Sequence, residues 1–290
     1  MHIPVLLEET IEALDPRPNE NFVDCTFGGG GHSLEILNRI APFGKVLGIE
    51  LDRQSLAALP PEVRNNPRLI IENDSYANIA AIVRKHNFQN IGGMLFDLGM
   101  SSWHVDESKK GFSFSKDEPL DMRYDADGEL TAAQIINEWS AADLEKIFTD
   151  FGQERFAKKI AIAIVKMRVQ RKIETTRQLA ELIGKIVPPE QRIHCWARIF
   201  QSLRIAVNRE FENIEIGIAA GFEILENGGR MAAITFHSLE DGIVKRKFKE
   251  LAAEGRAIMI TKKLVVCGPE EANRNPRARS AKLRAILKIG

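Results

Sequence analysis

The 290-residue chain has little cysteine: its three thiols, Cys25, Cys195 and Cys267, lie far apart and fit no zinc spacing. They read as buried or reduced thiols in a reducing compartment. A charge of one sign is also missing, because Lys+Arg and Asp+Glu each total 40. A nucleic-acid partner must therefore be argued from local patches rather than from net charge. No apolar run reaches the length of a membrane span. The opening "MHIPVLLEETIEAL" carries acids within its apolar stretch and has no basic region ahead of it, which argues against a signal peptide. His32, His104, His194 and His237 are scattered, so neither a Ser–His–Asp hydrolase signature nor a metal-spaced cluster appears, and no metal is expected. The expected location is cytoplasmic. What is present is ordinary for a globular protein, 44% hydrophobic and 28% charged residues, in a chain near the upper limit for one domain.

Short apolar runs alternate with amphipathic stretches over the first hundred residues. Strands are expected at 21–26 ("NFVDCT"), 44–52 ("GKVLGIELD"), 68–74 ("RLIIEND") and 91–99 ("IGGMLFDLG"), with a helix after the first that Ser33 could cap. That alternation implies right-handed βαβ units, hence an α/β, Rossmann-like doubly wound sheet. From about residue 105 to 200 the pattern becomes helical, with helices expected near 131–138, 141–150, 153–171 and 176–187. "SAAD" and "TTRQ" act as capping signals there. A long helix over about 196–226 precedes a strand at 230–238, and a terminal strand pair closes the chain, its second member antiparallel. The expected division is a discontinuous α/β domain, 1–105 and 201–290, around a helical insert, 106–200.

"DCTFGGGGHS" (24–33) places an acid and a glycine run at the first strand-to-helix turn, where bare backbone and a helix N-terminus admit a ligand. Glu50 ends the second strand, where a carboxylate can take both ribose hydroxyls. Two cofactor classes fit this turn: a nicotinamide dinucleotide, whose fingerprint Gly28, Gly30 and Ser33 nearly meet, and S-adenosylmethionine. Asp24, Glu50, Asp74 and Asp97 rim the strand ends, and an acidic rim suits the cationic sulfonium and ammonium of the second better than a diphosphate. "DLGMSS" (97–102) ends strand four. Asp97, with the Leu98 carbonyl, could accept the N–H bonds of an exocyclic amine and sharpen its lone pair. Tyr76 could stack on adenine or simply pack. Ser101 and Ser102, His237 and Ser238 of "FHSLED", and Arg277 and Arg279 of "NPRARSAKLR" are candidate substrate contacts, although His237 could equally cap a helix. Arg155, Lys158, Lys159, Lys166, Arg168, Arg171 and Lys172 line one helix, a second basic cluster suited to a phosphate backbone. A dehydrogenase and a non-catalytic RNA-binding or assembly factor remain the alternatives.

"HIPVLLEE", "DCTFGGGGHS", "DLGMSS", "GFSFSKDEPLDMRYD", "FGQERFAKKIAIAIV", "FQSLRIAVN", "GGRMAAITFHSLED" and "NPRARSAKLR" together resemble the bacterial MraW/RsmH family, from His2 to about Arg284. These are methyltransferases acting on N4 of a cytidine in 16S rRNA near the decoding centre. The resemblance implies a class I S-adenosylmethionine-dependent methyltransferase fold, with the insert as an RNA-recognition domain. It also implies cofactor contacts at Gly30, Gly31, His32, Glu50, Tyr76, Asp97 and His104; Asp97 is the catalytic candidate on the amine-accepting reading of "DLGMSS" given above. The partner it implies is 16S rRNA or the small ribosomal subunit; a homodimer is kept open. Three departures from the usual family pattern stand out: Glu50 for an aspartate, "SSWHVD" for "SSPQLD", and "HCWARIF", which brings in Cys195 and Trp196.

Overall fold

The computed structural model describes residues 4–290, so His2 and Ile3 of the "HIPVLLEE" motif lie outside the described residues. Its sheet consists of β1 (Asn21–Asp24), β2 (Val46–Ile49), β3 (Leu69–Glu72), β4 (Ile91–Asp97), β5 (Arg230–Thr235), β6 (Ala257–Met259) and β7 (Lys282–Lys288). They are ordered β3-β2-β1-β4-β5-β7-β6. The first five run parallel, while β7 pairs antiparallel with both β5 and β6. The fold is therefore the expected Rossmann-like α/β class with a doubly wound sheet. The order reverses between β1 and β4, which opens a crevice at their carboxyl ends.

The strands read as continuous apolar runs because both faces of the sheet are covered. Phe22 and Leu95 point to one side, against Ile36, Leu37 and Ile40. Val23, Met94 and Phe96 point to the other, against Ile79, Ile218 and Phe222. Phe222 is fully buried, and Arg256 and Lys288 lie over its ring. Phe222→Ala is expected to lower stability by about 3–5 kcal/mol through the lost burial and the cavity left behind, measurable by urea unfolding.

The chain divides into two compact units, Met1–Gly99 with Phe211–Gly290, and Met100–Glu210. The boundaries fall after Gly99 and Glu210 rather than after 105 and 200. The second unit is helical and has its own core, in which Ile135, Phe148, Ile160, Leu179 and Leu203 are fully buried. Its helices include Ala132–Glu138, Ala141–Asp150, Ala157–Gln170 and Thr176–Gly184. Ser140 and Thr175 cap the second and fourth, accepting from the amides of Asp143 and Gln178. Ala157–Gln170 begins later than its periodicity suggests. Gln153 takes a left-handed conformation, and the Glu154 carboxylate accepts the Phe156 amide instead.

Two local expectations fail. The helix expected over 196–226 is two helices, Arg192–Asn208 and Glu210–Ile224, broken at Arg209 with φ 49°. Asn208 holds the break, donating to the Met122 carbonyl and accepting the Tyr124 amide. Ser33 does not cap the first helix. That helix starts at Gly31 behind Gly30, whose left-handed φ of 77° begins the turn without a side-chain cap. Among the described residues, no helix is long and apolar enough to cross a membrane.

Candidate active site

The glycine run separates into distinct duties. Gly28 and Gly30 both adopt positive φ, which non-glycine residues resist. A Cβ on Gly30 would meet the Phe27 ring at 2.7 Å, and one on Gly31 would strike Pro4. These two glycines serve close packing of the chain on itself. Above Gly29 nothing lies within 4 Å of a Cβ position, and above Gly28 only the Thr26 carbonyl approaches, at 3.8 Å. The space over Gly28 and Gly29 is therefore open.

Strand ends deliver the carboxylates. Asp24, at the end of β1, is 2% exposed. It accepts the Ser33 hydroxyl at 2.6 Å and the Thr26 amide at 3.2 Å. Ser33 thus tethers the acid rather than the helix. Despite those bonds, burial pushes the Asp24 carboxyl up to about 6, with the charge on Glu50 adding to the rise. Asp97, at the end of β4, is held through its amide, which donates to the Thr26 hydroxyl at 2.6 Å. Its Oδ1 is buried and makes no hydrogen bond among the described residues. Burial raises its carboxyl well above the ordinary range, and the charges of Asp24 and Glu240 raise it further. Glu240 is fully buried, accepts the Phe236 amide at 2.9 Å, and joins this group through the β4–β5 register.

His32 stands beside them, 5% exposed, with Nε2 3.0 Å from the Val5 carbonyl. That contact leaves Nδ1 facing Asp97 Oδ2, 3.6 Å away, too far for a hydrogen bond. Glu50 receives the amides of Gly28 at 2.9 Å and Asp52 at 2.8 Å. Tyr76 follows β3 and packs edge-on against Phe96 at 5.7 Å. Gly217 makes that approach feasible, since a Cβ there would lie 2.6 Å from the tyrosine ring.

This pattern of a glycine turn and clustered strand-end acids extends along a chain with close relatives. A family model described as the MraW methylase family matches residues 1–289. The chain belongs to that family. The ribosomal RNA small subunit methyltransferase H of Trichlorobacter lovleyi is 44% identical over 308 residues, covering 100% of this chain and 98% of that one. The protein of the same name from Symbiobacterium thermophilum is 41% identical over 307 residues, with coverages of 99% and 96%. A third, from Clostridium botulinum, is 40% identical over 305 residues, covering 99% of each.

The remaining candidates of this methylase have local partners. His237 caps the helix Ser238–Ala253, its Nδ1 accepting the Glu240 amide at 3.3 Å, and its Nε2 lies 2.9 Å from Glu240 Oε1. The ring thus positions Glu240, and Ser238 opens the same helix. Asp241, within "FHSLED", is bound by Arg284 at 2.6 Å with Lys282 at 3.9 Å. Arg277 and Arg279 ride on a 3-10 helix anchored by buried Ala278, and Arg279 donates to the Ala272 carbonyl. In the helical unit, Ser101 donates its amide to His104 Nδ1 at 3.2 Å. His104 is 5% exposed within that unit, its ring 4.7 Å from Tyr124 and 5.2 Å from Phe112. Ser102 opens the helix Ser102–Asp106, and its side chain lies outside the described part of the structure.

The sequence reading carried Asp24 only as part of the acidic rim and missed Thr26 altogether. It also missed Glu240 as a partner of Asp97. The alternation of strand and helix signals each strand end. Nothing local signals that Thr26 braces Asp97, 71 residues on in the chain.

Proposed function

We propose that this methylase transfers a methyl group to N4 of a cytidine in 16S rRNA near the decoding centre. The methyl donor is S-adenosylmethionine. One observation carries the reading: Asp24, Asp97 and Glu240 converge at neighbouring strand ends beside an open glycine turn, with an unmet buried oxygen on Asp97. Like charges held together out of water are unfavourable until a cation joins them. A dinucleotide's diphosphate would add to the repulsion. The sulfonium and ammonium of S-adenosylmethionine relieve it. The residues present therefore fit this cofactor.

Gly28 and Gly29 would admit its amino-acid end, Glu50 would accept ribose hydroxyls, and Tyr76 would flank the base. When bound, the cofactor supplies an electrophilic methyl. Asp97 loses its proton once positive charge stands beside it, and its carboxylate then accepts an N–H bond from the cytosine amine. The Leu98 carbonyl takes the second N–H. Both bonds draw the N4 lone pair out of the ring and aim it in line with the methyl, so rate comes from positioning and from accepting a proton. The relatives' shared name for their substrate and the basic segment at Arg277 and Arg279 support an rRNA target.

The test uses small ribosomal subunits from a strain lacking this protein, with labelled S-adenosylmethionine and nucleoside analysis after digestion. Label is expected in N4-methylcytidine. Cofactor binding without transfer to either subunits or naked 16S rRNA would overturn the reading in favour of a non-catalytic binding factor.

A further inference from the structure

Trp196, one of the departures from the usual family pattern, lines a cavity that the methyl-transfer site does not use. The cavity, about 430 Å³, lies wholly within the helical unit and is walled by Phe114 and Trp196 with Lys116, Arg177, Lys185 and Arg192. We infer that this cavity is a second nucleic-acid site, which takes one unstacked nucleotide of a single-stranded RNA segment, its base against the aromatic wall and its phosphate among the cations. The identity of the strand rests on the rRNA reading above; the pocket's chemistry does not.

Three observations carry the inference. The aromatic wall is held in place. Trp196 donates its indole N–H to the Ala180 carbonyl at 2.9 Å, and Phe114 braces it at 5.7 Å while standing 5.8 Å from Phe200. An immobilised indole at a cavity wall provides a stacking surface at small entropic cost. Second, the floor is kept open by Gly184, where a Cβ would already touch Trp196 at 3.6 Å and Arg192 at 3.8 Å. Third, the lining charge is strongly positive, with Glu181 the acid among four basic side chains. Lys116 donates to the Val105 and Asp106 carbonyls and Arg192 to the Val187 carbonyl, all neutral acceptors. Arg177 meets Asp117 only at an exposed 3.5 Å pair, which is weak in water. Aromatic surface and unneutralised cations in one cavity match the two halves of a nucleotide: a π-face and a phosphate.

The test uses the full chain and a fluorescein-labelled single-stranded RNA octamer, with dissociation constants from anisotropy. Gly184→Leu fills the cavity without removing any contact, and its φ suits any residue, so the fold is retained. It is expected to weaken octamer binding about tenfold or more, the range for losing one stacked base and its phosphate. Trp196→Phe keeps a ring on the wall and is expected to stay close to the parent, whereas Trp196→Ala is expected to follow Gly184→Leu. In all three, the rise in Tm on adding S-adenosylmethionine is expected to match the parent, which certifies the fold and the methyl-transfer site. Octamer affinity unchanged in Gly184→Leu would overturn the proposal. So would displacement of the octamer by AMP at equal affinity, which would mark a free-nucleotide site, by inorganic phosphate, which would mark a plain anion site, or by an acidic octapeptide, which would mark a protein-docking site. Failure of the parent to methylate subunits, with the octamer results as expected, would remove the rRNA reading and leave the pocket standing.

Discussion

Asp97→Ala is expected to cut methyl transfer to small subunits by roughly 10²–10⁴, the range for a group that accepts a proton in the transition state. The same substitution is expected to leave the cofactor-free protein at least as stable as the parent. Asp97 Oδ1 is buried without a hydrogen bond among the described residues, and its carboxyl is raised by burial and by Asp24 and Glu240. Removing it deletes a buried carboxyl oxygen that has no hydrogen bond, at the expense of a small void. Most side chains that matter to a fold behave in the opposite way, so a pairing of lost rate with retained or raised Tm separates a functional acid from a structural one. The measurement is single-turnover transfer beside thermal unfolding without cofactor. Near-normal turnover in a folded variant would refute the role of Asp97. A large fall in Tm would instead make Asp97 a structural residue whose loss damages the site indirectly.

The sequence predicted the architecture well because it is written in local periodicity. Each of the first four strands was found, with carboxyl ends two or three residues too generous, since turn residues such as Cys25 and Thr26 are as apolar or as β-favouring as the strand before them. The break at Arg209 was not legible. No glycine or proline marks it, and the bonds that hold it come from Met122 and Tyr124, more than eighty residues away. The same distinction runs through the site. Asp24, Glu50 and Asp97 announce themselves at strand ends. Glu240 reads as one of the "FHSLED" residues that could hold substrate or cap a helix, until the β4–β5 pairing puts Asp97 opposite Ile234 and brings the following turn alongside. Ser33 illustrates the limit of a local rule: a serine near a helix start is a cap on average. Here Gly30 starts the turn early, and the hydroxyl is released to bind Asp24.

The burial of Asp24, which outweighs that bond, produces the second large effect, in pH dependence. Asp24 titrates at about 6 in the folded protein against 3.8 ordinarily. Between those values the native state binds the proton and the unfolded chain does not, so stability falls as pH rises from about 4 to about 6 and stays lower above. A shift of this size corresponds to roughly 3 kcal/mol at pH 7.5. Asp97, shifted in the same direction, adds a loss of the same sign. Glu72 and Asp121 are held below their ordinary values by Lys85 and Arg123, act oppositely, and lose their stabilisation only as pH falls through their depressed range. Asp24→Asn isolates the wanted part: the variant is expected to gain up to about 3 kcal/mol over the parent at pH 7.5 and almost nothing at pH 4. The cofactor should see the reverse. A cation beside Asp24 and Asp97 favours their charged forms, so binding S-adenosylmethionine releases protons; the Asp24 proton is released near pH 6 and tightens Kd by up to about tenfold per pH unit as pH rises toward about 6. Titration calorimetry in two buffers of different ionisation enthalpy reads that release directly. Parallel pH profiles for the parent and Asp24→Asn, with no buffer dependence of the binding heat, would mean that the acids stand ionised without the cofactor, and that the cation is held by other groups.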